Sequence, residues 1–192
     1  MRQGRMRWTV WATVVLLAVS GLLSLTSCGG GGGGSIGGAG GSPSGGIQFT
    51  ATVTSPAGTR TFNANTVTAG LGVDVIGVMG GVVGDLGIAF AFRRPSQIPT
   101  TIIFNRQTWL DDEAEARVVF VIGGTGEEFS TRMEGGSGTL RITTLTDNRI
   151  AGTFQITAKS IYGTGTTVTA SGSFNLPKGT WTFINGQWVG GL

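Results

Sequence analysis

Asp111, Asp112, Glu113 and Glu115 crowd together just after Trp109, the one place where this chain concentrates groups able to do chemistry. Two chemistries use such a cluster. A hard cation such as calcium takes six to eight oxygen ligands, which one acidic loop partly supplies. A glycan-cleaving site needs two carboxylates, one acting as acid and the other as base or nucleophile, and Trp109 would offer a stacking platform. The alternating D-x-[DN]-x-[DN]-G spacing of a dedicated calcium loop is absent, however. A solvated acidic loop explains the same residues more plainly. The four acids therefore stand only as weak metal candidates, and no metal or cofactor is expected. Glu127 and Glu128, which follow Gly-Gly-Thr-Gly, read as a second exposed turn.

The remaining inventory narrows the chemistry further. The chain has no histidine, which removes the commonest general base, the commonest metal ligand and the usual partner of a nucleophilic Ser or Cys. Beyond the first 28 residues the only lysines are Lys159 and Lys178, and neither lies in a Ser-Lys motif. Arg93-Arg94-Pro95 reads as a solvated loop after a strand, with an anionic headgroup as the alternative partner. The sequence predicts a protein that is not an enzyme, with carboxylate work on glycans as the one catalytic route left open.

The single cysteine, Cys28, ends a segment of distinctive composition. Arg2, Arg5 and Arg7 come first without an acid, and residues 8–25 then run uncharged to Leu25-Thr26-Ser27-Cys28. A basic start, an apolar middle and small residues before a cut describe a secretory signal. A transmembrane helix is the alternative, since 18 uncharged residues approach the length that spans a bilayer. Leu25-Thr26-Ser27-Cys28 resembles the lipobox of bacterial lipoproteins. That resemblance implies a diacylglyceryl group on the Cys28 thiol, cleavage before Cys28 and acylation of the new amino group, palmitate being the usual acyl chain. Two or three chains hold a protein firmly to a membrane, where one gives marginal binding. Glycine rather than aspartate at position 29 implies the outer membrane, facing the periplasm or the cell surface. The expected location is thus the cell envelope, with the membrane as a partner through the lipid.

Residues 1–27 are accordingly read as a signal peptide with its own detached helix. Residues 28–46 are read as the lipidated cysteine followed by a Gly-rich linker, and 47–192 as one domain. "GGGGGGSIGGAGGSPSGG" (29–46) has almost nothing to bury. A flexible chain of that length spans roughly 20–25 Å. Charge then excludes one class of partner. Arg2, Arg5 and Arg7 are three of the 13 Lys and Arg residues, so ten remain against 10 Asp and Glu. A neutral domain lacks the basic surface that nucleic-acid binding needs.

The domain that must position any site alternates apolar and polar residues at period two. "IQFTATVT" points Phe49, Ala51 and Val53 one way and its threonines the other. "RIAGTFQITAKS" does the same with Ile150, Gly152, Phe154, Ile156 and Ala158, and "TVTASGSFNL" with Val168, Ala170, Gly172, Phe174 and Leu176. Turn signals fall at Pro56-Ala57-Gly58, Gly80-Gly81, Gly84-Asp85, Asp147-Asn148 and Asn185-Gly186. Nine to eleven strands are expected, in an all-β, antiparallel up-and-down meander. It would close as a β-barrel of calycin or lipocalin type, or pack as a two-sheet sandwich. Inward Gly152 and Gly172 tilt the choice toward a barrel. Residues 73–92 read as an apolar hairpin, and 110–115 as a loop or short helix before a strand from 116. Trp181 and Trp188 are placed to pair across the last hairpin, in packing or as a binding platform.

"GSGTLRITTLTDNRIAGTFQITAKS" (136–160), with "TVTASGSFNL" (167–176) and, more loosely, "FTATVTSPAGTRTFNA" (49–64), resembles small β-rich bacterial lipoproteins of unassigned function. The shared pattern is hairpin chemistry, so it implies export and β architecture and no mechanism. The expected function is a non-enzymatic binding domain that docks an envelope protein or polymer. A lipocalin-like carrier of a small hydrophobic ligand is the alternative, and a glycan-acting enzyme a more distant one.

Overall fold

The computed structural model describes residues 46–122 and 125–191. The expected signal peptide, Cys28 and the linker up to residue 45 lie outside the described residues, as does Gly123-Gly124. The first pair follows directly from alternation: β1 (Gln48–Ser55) buries Phe49, Ala51 and Val53. It reverses through Pro56-Ala57 into β2 (Gly58–Asn63). At Ala64-Asn65 the chain turns a corner, held by Ala64 N donating to Phe49 O at 2.8 Å and Asn65 N to Gly81 O at 3.0 Å. A meander of β3 (Thr66–Leu71), β4 (Val75–Val82) and β5 (Leu86–Arg93) follows. Then come β6 (Thr100–Asn105), helix α1 (Arg106–Asp112), β7 (Glu115–Ile122) and β8 (Thr125–Ser130). Long strands β9 (Ser137–Leu145), β10 (Arg149–Ser160) and β11 (Thr167–Pro177) lead to a final hairpin, β12 (Gly179–Ile184) and β13 (Gln187–Gly191).

Among the described residues all pairings are antiparallel and belong to one sheet of 13 strands. The order along it is β13-β12-β3-β4-β5-β7-β8-β10-β11-β1-β2, with β6 attached through β9, which pairs β10. The sheet curls into a half-barrel whose concave side is the core. Strand number exceeds the nine to eleven expected because β3, β6 and β8, six residues each, are too short to show firm alternation. Chain order also departs from a simple meander. β1 sits between β2 and β11, β3 lies beside β12, and β6 leaves its sequence neighbours to join β9.

Two local expectations need correction. Gly80-Gly81 is not a turn; β4 runs through it and reverses at Val83–Asp85. A Cβ at Gly80 would lie 2.2 Å from the Phe49 ring and one at Gly81 2.8 Å from Leu86 O, so these glycines serve close approach. The expected loop or helix at 110–115 is a helix that starts earlier, at Arg106. Asn105 caps it: its Oδ1 accepts from Thr108 N, and Thr108 Oγ1 accepts from Asn105 N, both at 2.9 Å. Glu113, at φ 58°, ends it, and the next strand begins at Glu115.

Aromatic rings fill the core. Phe49 packs on Phe154 and Phe174 with centroids 5.8 and 6.0 Å apart, and Phe90 on Phe154 and Phe104 at 4.8 and 6.0 Å. Each buried Phe contributes about 1.5–3 kcal/mol, and ring pairs add about 0.5–1.5 kcal/mol. Gly172 makes room for this stack, since a Cβ there would meet Thr50 O at 2.1 Å and the Phe154 ring at 2.8 Å.

A bidentate ion pair clips the edge strand β2 to the β4–β5 turn: Arg60 Nη1 and Nη2 lie 2.8 and 2.5 Å from the Asp85 carboxylate oxygens. The hydrogen bond from Arg60 holds the Asp85 carboxyl below its usual range, against a smaller upward push from desolvation. A depressed carboxyl stabilises the fold above the ordinary aspartate value, about 3.9, and that contribution fades as pH falls through the depressed value. The urea midpoint of Asp85→Asn should therefore lie below that of the native chain at neutral pH, with the gap closing below pH about 4. A gap of constant size across that range would mean the clip is not ionic.

Candidate functional site: an acidic cluster, a hydroxyl face and an apolar corner

The acids singled out by sequence do not converge. Asp111 accepts from Gln107 Nε2 at 2.8 Å on the exposed side of α1, and Asp112 lies 3.6 Å from Arg93 Nε. Glu113 ends the helix through its backbone N–H, and the residue is exposed. Glu115 turns the other way and is 2% exposed. Among the described residues no group of three or more such side chains is gathered as a metal site would require.

Glu115 instead organises a buried ionic knot between the start of β7 and the end of β8. Its Oε1 accepts from Ser130 Oγ at 2.5 Å, and Arg117 Nη2 donates to Oε2 at 3.0 Å. Arg132 Nε stands 3.4 Å from Oε1, and its guanidinium sits 5.6 Å above the Trp109 ring. Arg117 Nη1 also donates to Glu128 at 2.5 Å. Burial alone would lower the Arg117 pKa, but the hydrogen bonds and charges of Glu115 and Glu128 outweigh it and the value rises. Thus Glu127-Glu128 belongs to strand β8, where an exposed turn was expected. Chemically the knot is closed. Ser130 is 0% exposed and its hydroxyl is occupied, so the carboxylate ties the start of β7 to the end of β8 and to Arg132.

The convex side of the sheet carries a pattern that single strands do not reveal. Register aligns Asn63, Thr50, Ser173, Thr153, Arg141 and Thr101 in one row crossing β2, β1, β11, β10, β9 and β6. A second row holds Thr61, Thr52, Ser171, Gln155, Thr139 and Ile103, and a third Thr59, Thr54, Thr169, Thr157, Ser137 and Asn105. Every position in the three rows bears a hydroxyl or an amide except Arg141 and Ile103. All point away from the core and none is buried. Neighbouring strands stand about 4.8 Å apart, so the face is a regular lattice of donors and acceptors. Some of these groups already bond across strands, as Thr52 to Thr61 at 2.8 Å and Thr54 to Thr59 at 3.0 Å. At one corner an open groove of about 500 Å³ is lined by Pro99, Thr100, Thr101 and Arg141.

The terminal hairpin forms the third feature. Asn185 and Gly186, at φ 50° and 82°, make the expected two-residue turn. Trp188 pairs with Phe183, not with Trp181, which lies opposite Gly190; a two-residue loop sets that register. The Phe183 and Trp188 rings are 5.4 Å apart. Trp181 and Trp188 both lean partly on the core. Arg94, expected in a free loop, reaches Asp147 at 3.1 Å and Gly72 O at 3.1 Å. No family model, curated protein or solved structure matches this chain.

Proposed function

We propose that this protein is a lipid-anchored lipoprotein of the cell envelope, held through Cys28 at the outer membrane. Its β-domain acts there as a non-enzymatic docking module for an envelope polymer rich in hydroxyls, that is, a glycan. One observation carries the reading: six adjacent strands present a nearly uncharged lattice of hydroxyl and amide side chains. Each hydrogen bond to a sugar contributes only about 1 kcal/mol net of water, so recognition must sum many over a broad face. Arg141 and the groove beside Thr101 give that face an edge where a chain can register. Against the carrier alternative stands a core whose centre is occupied by phenylalanine rings.

Co-sedimentation of the mature chain with isolated peptidoglycan and with envelope polysaccharide tests this. Retention is expected on one of them and should change little between about 0.05 and 0.5 M salt, because few charges take part. Ser171→Glu with Gln155→Glu, at the centre of the lattice, should weaken retention about tenfold, while Arg93→Glu should leave it unchanged. Absence of retention on either polymer, or retention indifferent to the paired charges, would remove the glycan reading.

A further inference from the structure

The corner at Ala64-Asn65 gathers three features that the glycan-docking face does not use. Ala64 is bonded to Phe49, one residue into β1, so the chain joins the sheet here. Asn65 O accepts from Phe183 N in β12 at 2.7 Å, and its Oδ1 accepts from Val83 N at 3.2 Å. Around this point Val83, Phe183, Ile184 and Val189 are each about half exposed, at 48, 46, 49 and 57%. Phe183 and Trp188 share one face of the hairpin, while Ile184 and Val189 share the other. Both faces of the tip therefore carry apolar side chains, with Thr182 and Gln187 beside Val189 and Ile184 on the second. The core can cover only one.

Charge adds a second constraint. No Asp or Glu follows Asp147 in the sequence, and Asp85, close to Val83, is neutralised by Arg60. Among the described residues the corner thus presents apolar side chains without an unpaired negative charge, next to the start of β1.

We infer that this corner seats in the surface of a lipid bilayer, with the β12–β13 tip and Val83 in the interfacial region; the inference rests on the lipid-anchor reading of Cys28. A bilayer interface closes around a tip that carries apolar side chains on both faces and accepts the polar groups among them, whereas a folded partner offers one surface. A stable protein interface buries about 1,200–2,000 Å², far more than four half-exposed side chains provide. Tethering raises the local concentration enough for weak insertion to be populated. Trp188 beside Phe183 suits the headgroup level, where amphipathic rings concentrate, and the missing carboxylates suit an anionic leaflet.

The test reads anchor and corner separately. The full chain with Trp8, Trp11 and Trp109 changed to Phe keeps Trp181 and Trp188 as reporters. It is reconstituted in phosphatidylethanolamine–phosphatidylglycerol vesicles with brominated acyl chains. The mass of the Cys28 peptide reports the lipid, and tryptophan emission reports the corner. Emission should fall by about twofold relative to unbrominated vesicles, and Phe183→Ser or the more exposed Val189→Ser should restore most of it. Equal emission in both vesicle types on a chain lipidated at Cys28 would overturn the inference. Equal emission accompanied by concentration-dependent dimerisation would overturn it too and assign the corner to a second copy. If Cys28 carries no lipid, the anchor reading fails on its own. The same quenching, measured with the chain added to preformed vesicles, then decides the corner alone.

Discussion

Replacing Glu115 with alanine is expected to lower the free energy of unfolding by about 3–5 kcal/mol, seen as a lower urea midpoint with an unchanged slope. The carboxylate is 2% exposed and faces Ser130, Arg117 and Arg132. Its removal takes one counter-ion from the Arg117 guanidinium, whose side chain is 17% exposed and which also pairs with Glu128. Glu115→Gln should cost less, because the amide oxygen still accepts from Ser130. The pair Glu115→Leu with Arg117→Met should recover part of the loss, since swapping a buried ion pair for apolar residues is often close to neutral. A loss below about 1 kcal/mol for Glu115→Ala would place the knot in the range of exposed ion pairs and contradict its burial.

Phe49→Ala is expected to cost a similar amount, about 3–5 kcal/mol, because the ring touches Phe62, Phe154 and Phe174 and lies directly over Gly80. The informative experiment is the cycle with Gly80→Ala. Alone, that methyl would land 2.2 Å from the ring, an overpacking that costs about 1–3 kcal/mol. Once Phe49 is alanine the methyl enters the space the ring has left. The double variant should then be more stable than the two losses predict, by about 1–3 kcal/mol. Additive losses would show that Phe49 and Gly80 do not share one space.

Local features of this fold are legible in the sequence, and long-range ones are not. Alternation in β1, β10 and β11 assigns inward residues correctly, and the Asp147-Asn148 and Asn185-Gly186 turns fall where their chemistry requires. Counting outward from Asn185-Gly186 also places Phe183 opposite Trp188, a register the turn itself contains. Gly80 is different: whether a glycine pair marks a turn or a close approach depends on Phe49, which arrives from another strand. The acid cluster misleads because spacing cannot show that Glu115 turns toward arginines supplied by β7 and by the residues after β8. Threonines are visible on each strand, yet a continuous face exists only once β6 joins β9 and β1 joins β11.

Those same distant pairings govern how the chain is made. Thr68 and Thr180, bonded at 3.1 Å across 112 residues, belong to strands at opposite ends of synthesis, as do β1 and β11. A polypeptide halted before β11 would hold β1 and β3 with bare edges, which template pairing with other chains. Closure of such non-local contacts is slow. Completion of the half-barrel therefore waits on the last strands delivered, and a prematurely terminated product is marked for recognition by the strands it never received.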